Sequence, residues 1–139
     1  MNPVTETIKD LLTAGGIGTF AATSGWSIQI NMEPTTPVTT ISLFNSAGPP
    51  PEGCMDVSKA RLKSSVCHIR VRASTSLLAQ AKIREIIDLL NSKTAFLTES
   101  STIRNMQCSQ NNEEFLLEQN DNDQFIWVVD YQVKRRKNA

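Results

Sequence analysis

The chain has 139 residues, 40% hydrophobic and 20% charged, with 14 basic and 14 acidic residues that cancel. This is the size of one ordinary domain with enough apolar content for one core. No apolar run approaches the roughly 20 residues a membrane helix needs, and zero net charge argues against a dedicated nucleic-acid binder.

The opening, MNPVTETIKDLL, carries neither a basic leader nor a continuous apolar run, so no export signal is expected. Val4, Ile8, Leu11 and Leu12 in residues 4–14 recur at the spacing of one helical face, and Gly15-Gly16 ends that helix. Residues 26–32, WSIQINM, alternate apolar and polar and predict a half-buried strand, broken by Glu33-Pro34-Thr35-Thr36-Pro37. A second strand is expected over 38–45, rich in β-branched residues.

From 46 to 63 no period is visible, and the stretch reads as a long loop or arm containing Pro49, Pro50 and Pro51. Three prolines in succession hold the backbone extended and remove three donors.

Residues 65–73 place Cys67, Ile69, Val71 and Ala73 on one strand face and Val66, His68, Arg70 and Arg72 on the other. Ser74, Thr75 or Ser76 can then cap a helix reaching about Asn91, with Ala79, Ile83, Ile86, Ile87 and Leu90 on its apolar side and Lys82 and Arg84 as solvent decoration. Strands are expected over 102–109, 114–119 and 124–134, the last two joined by the turn Asn120-Asp121-Asn122-Asp123. The order predicts an α+β fold: a mainly antiparallel sheet of five or six strands with two helices packed on it, a long loop between the second and third strands, and a basic tail at 134–139.

Charge is unevenly spread. Residues 57–84 hold seven bases (Lys59, Arg61, Lys63, Arg70, Arg72, Lys82, Arg84) and no acid. Residues 105–133 hold six acids (Glu113, Glu114, Glu118, Asp121, Asp123, Asp130) and no Lys or Arg. Such blocks are either solvated faces or complementary surfaces through which copies join head to tail.

Chemistry is sparse. Gly16-Ile17-Gly18-Thr19-Phe20-Ala21 matches a dinucleotide fingerprint letter for letter, but a helix precedes it where that motif needs a strand. The single histidine, His68, is sequence neighbour to Cys67, and strand alternation separates the two. Cys54, Cys67 and Cys108 are too scattered for a metal site and read as reduced thiols. Neither catalytic residues, nor a metal, nor a cofactor is expected.

Four segments taken in order, the N-terminal helix ending in AGGIG, the strand and loop ISLFNSAGPPP, the strand and helix ending in VRASTSLLAQAKIREIIDLLN, and the closing FIWVVDYQVKRRK, resemble the tail terminator (tail completion, or minor capsid) proteins of long-tailed bacteriophages. The resemblance spans nearly the whole of 1–139 as one domain. It implies a non-enzymatic virion protein, made late and assembled in the host cytoplasm. Such a protein caps the tail tube as a homohexameric ring, stops tube growth and provides the surface for head–tail joining. Implied partners are further copies of itself, the tube protein, a head completion or connector protein, and DNA passing through the lumen without specific binding. No membrane is involved. The alternatives are a head–tail connector and a small nucleic-acid-binding protein.

Within that frame Lys59, Arg61, Lys63, Arg70 and Arg72 are candidate interface residues opposite Glu113, Glu114 and Glu118. Gly48, Pro49, Pro50 and Pro51 form a candidate docking loop, pre-extended so that docking costs little entropy. Asp121 and Asp123 are candidates for the lumen, where repulsion lets DNA slide.

Overall fold

The structure, a computed structural model, describes residues 3–46, 62–91 and 103–137. Two helices, α1 (Val4–Ala14) and α2 (Ser76–Asn91), accompany seven strands. The strands are β1 (Thr19–Phe20), β2 (Ser27–Ile30), β3 (Thr40–Ser46), β4 (Leu62–Ala73), β5 (Ile103–Gln110), β6 (Phe115–Gln119) and β7 (Phe125–Lys137). They form one sheet in the order β1-β2-β3-β4-β7-β5, with β6 beside β5 on the same flank of β7.

The pairs β3–β4, β4–β7, β5–β7 and β6–β7 are antiparallel, while β1–β2 and β2–β3 are parallel. The α+β architecture expected from the sequence is therefore present. The additional strand is β1, only two residues long and too short to leave a period. Other departures lie at strand ends. Leu62 and Lys63, read from sequence as loop, open β4 opposite Arg136 and Arg135, and Lys134 to Lys137, read as a tail, continue β7. The proline-rich segment 47–61 lies outside the described residues.

Register explains the core. Ile41 pairs with Val71, Leu43 with Ile69, Ile69 with Val129 and Cys67 with Tyr131, so these residues share one face of the sheet. Both helices pack on that face, α1 through Val4, Ile8, Leu11 and Leu12, and α2 through Ala79, Ile83, Ile86 and Leu90. Burying a side chain of this kind contributes roughly 1.5–3 kcal/mol. At the start of α2 the Leu78 N–H donates to Thr75 Oγ1 at 3.2 Å, which identifies the cap among the three candidates.

The AGGIG segment is a turn between α1 and β1. Gly16 has φ +73°, a left-handed conformation that favours glycine, and a Cβ on Gly18 would lie 3.0 Å from the Trp26 carbonyl oxygen. Those glycines close a turn instead of opening a helix onto a phosphate. Lys82 Nζ spans the same corner, 3.4 Å from the Ile17 carbonyl oxygen and 5.0 Å from the Trp26 ring centroid. Far from decorating the solvent face, Lys82 ties α2 to the opening turn.

Candidate functional site

The face of the sheet opposite the helices sets polar and charged side chains among apolar ones, Phe44, Val66, Ile126 and Val128. His68, Arg70 and Arg72 alternate along β4, and His68 lies between Phe44 of β3 and Asp130 of β7, its pairing partners. His68 Nδ1 stands 2.5 Å from Asp130 Oδ1. The other carboxylate oxygen accepts from Asn112 Nδ2 at 3.1 Å, while the Asp130 N–H donates to Asn112 Oδ1 at 2.9 Å. Asn112 thus fills the gap between β5 and β6 and satisfies backbone and side chain of one residue together. Cys67 points into the core on the other face, with burial pushing its thiol well above the usual range. The Cys67–His68 pair cannot act as nucleophile and base.

Arg72 is 5% exposed. Its guanidinium donates to the carbonyls of Pro34, Pro37 and Val38 and to Thr40 Oγ1, clamping residues 34–40 over the sheet. Burial pulls its pKa down, with Glu33 opposing that shift. Arg70 Nε lies 2.8 Å from Glu33 Oε2, and its Nη2 lies 3.8 Å from Glu118 Oε1 on β6. The Nε–H is not aligned on that oxygen, so the contact is ionic and not a formed hydrogen bond. Both arginines named as interface candidates are therefore engaged within their own chain, Arg72 completely.

The other candidates fall elsewhere. Glu113 and Glu118 are exposed, while Glu114 is half-buried, accepting from Gln110 Nε2 at 3.2 Å and lying 3.8 Å from Arg84. Asp121 and Asp123 are exposed in the β6–β7 turn, where Asn120 Oδ1 accepts from the N–H groups of Asn122 and Gln124, and Asp123 has φ +57°. Lys63 sits at the start of β4. Lys59, Arg61 and the docking-loop residues Gly48, Pro49, Pro50 and Pro51 lie outside the described residues.

Two features escape sequence reasoning. Glu33 belongs to a segment recognisable only as a break, and Asp130 meets His68 across 62 positions of chain. A third feature, the exposed apolar strip of β6, did leave a trace: FLLEQ, residues 115–119, interrupts alternation with three consecutive apolar residues. Phe115, Leu116 and Leu117 are 44%, 43% and 43% exposed on β6, which among the described residues pairs on one side only.

Among the described residues no group of three or more His, Cys, Asp or Glu is placed to hold a metal ion, and no helix is long and apolar enough to cross a membrane. The surface on view is one of ion pairs, strand edges and apolar side chains, features suited to contacts between proteins.

Comparison with known proteins points the same way. A solved structure described as the virion of a native gene transfer agent particle contains a chain with TM-score 0.53 and 14% identity, the match covering 96% of this chain and 92% of that one; it shows a shared fold. No curated protein matches. The family model for the bacteriophage tail terminator protein matches residues 11–137. Nearly every element described above falls inside that match, and the chain belongs to the bacteriophage tail terminator family, a family of structural proteins of the virion tail.

Proposed function

We propose that the protein caps the phage tail tube: copies close into a hexameric ring on the finished tube end, stop further subunit addition and present a surface for joining the head. The family match over residues 11–137 carries this reading. The surface supports it, since apolar residues exposed on a strand edge that no other described strand pairs are suited to repeated protein contacts. DNA passes through the lumen without specific recognition, and the tube protein and a head completion or connector protein are the neighbours on either side.

The proline segment has a part in the same proposal. Gly48 to Pro51 acts as a stiff docking loop that loses little entropy on contact with a neighbour.

The test is tail assembly with and without the protein, followed by electron microscopy. With it, tails end at one length and carry an added ring at one tip. Unchanged length distributions and bare tips would overturn the reading, and binding to heads in place of tube ends would transfer it to a connector.

A further inference from the structure

On the face of the sheet away from the helices, Ser42, Arg70 and Glu33 come together. Alternation along β3 sends Ile41 and Leu43 into the core and Ser42 to the outer face, directly opposite Arg70 of β4. Cross-strand partners of this kind hold their Cβ atoms about 4.5–5.5 Å apart. Glu33, from the segment after β2, reaches the same spot, with its Oε2 2.8 Å from Arg70 Nε and its Oε1 3.9 Å from Arg72 Nη1.

Ser42 is 1% exposed, and Thr40 and Arg72 beside it are buried too. Among the described residues, Ser42 Oγ, Glu33 Oε1 and Arg70 Nε are shut off from solvent and have no hydrogen-bond partner. Their neighbours are committed elsewhere. Thr40 Oγ1 donates to the Pro37 carbonyl, Gln29 Nε2 donates to Ser27 Oγ, and Arg72 donates to the carbonyls of Pro34, Pro37 and Val38. Buried polar groups in folded proteins nearly always find a partner, so a cluster of such atoms on one spot points to a bound molecule.

The chemistry of the three atoms selects that molecule. Arg70 Nε–H only donates, the Glu33 carboxylate only accepts, and the Ser42 hydroxyl does either. Glu33 repels an anion and Arg70 repels a cation. What fits is a neutral molecule that accepts and donates at once, and the burial of Ser42 and Thr40 limits it to the size of water.

We infer that one ordered water molecule is bound between Ser42, Glu33 and Arg70, accepting from Arg70 Nε–H, donating to Glu33 Oε1 and bonding to Ser42 Oγ. Internal waters ordinarily make about three such bonds. This water fastens the start of the segment clamped by Arg72 to both β3 and β4. The site lies within one chain and is independent of tail capping.

The experiment is a crystal structure of the full chain at a resolution that shows ordered solvent, together with magnetic relaxation dispersion of water, which counts molecules held long enough to tumble with the protein. Density for one water is expected at about 2.7–3.2 Å from all three atoms. Ser42→Val, which removes the hydroxyl and occupies its space, should hold one long-lived water fewer than wild type. Ser42→Ala should retain the water with a shorter residence, since one of its partners is gone. Circular dichroism checks that both variants fold, and if Ser42→Val does not, the wild-type structure and Ser42→Ala decide the matter. A direct bond from Ser42 Oγ to Arg70, to Glu33 or to another protein group, with no solvent between, would overturn the inference. So would equal counts of long-lived water in wild type and folded Ser42→Val. Density that acquires an anomalous signal after a bromide soak would overturn it in favour of an anion site.

Discussion

Asp130 Oδ1 lies 2.5 Å from His68 Nδ1, and Asp130 Oδ2 accepts from Asn112 at 3.1 Å, so a single carboxylate joins the central strand β4 to the junction between β5 and β6. Asn112→Ala removes two hydrogen bonds there and leaves the half-buried Asp130 N–H to water. The expected cost is about 1–2 kcal/mol, read as a lower urea midpoint with unchanged slope.

Arg72→Ala should be the most damaging single change on that face. It releases the carbonyls of Pro34, Pro37 and Val38 and leaves Glu33, only 19% exposed at its side chain, with fewer compensating charges. A loss of about 3 kcal/mol is expected. Arg72→Lys should recover little, because an ammonium cannot present the planar fork that reaches several acceptors together. Thermal denaturation of the two variants provides the comparison.

Tyr131 supplies a pH prediction. Its hydroxyl donates to Asn91 Oδ1 at 3.1 Å inside the core, and burial pushes its pKa above the ordinary value of 10.0. An unfolded tyrosine ionises near pH 10 while the folded one stays protonated. Above that pH the unfolded state binds fewer protons, so stability is full below about pH 10 and falls as pH rises. Since the chain has one tyrosine, ultraviolet titration should show no phenolate in the native protein near pH 10 and an abrupt rise on alkaline unfolding. Tyr131→Phe should flatten part of the alkaline decline.

Cys67 should be inert in the folded protein. It is fully buried and its thiol is held protonated by burial, so a thiol reagent at neutral pH should modify it only after denaturant is added. Rapid native modification at Cys67, located by peptide mapping, would contradict its placement in the core.

Replacing Pro49, Pro50 and Pro51 by Gly should leave the fold intact and weaken assembly on tube ends, because a flexible segment must be ordered on docking. Equal melting temperatures with reduced capping in an electron-microscopic count is the expected pair of results. Equal capping would reduce the prolines to routing the chain.

Periodic segments were the legible part of this fold. Alternation over 65–73 marked which side of β4 faces the core, and the apolar positions of α2 matched those buried in the structure. Partnerships between distant segments were not legible, because Glu33 and Asp130 acquire meaning only when the sheet brings them beside Arg70 and His68. Charge blocks misled in part for the same reason. Arg70 and Arg72 counted towards a basic surface by sequence position, yet their charges are met inside the molecule, whereas Lys134 to Lys137 read as a tail and proved to be strand.

On β6 the register shifts between Leu116 and Glu118, so Leu117 interrupts the ladder only two residues after the strand begins. Such a kink twists an edge away from a flat approach and limits how far another strand can zip along it. The apolar residues can grip a neighbour while the backbone resists runaway growth. An edge built this way favours an assembly with a countable number of members over a fibre without an end.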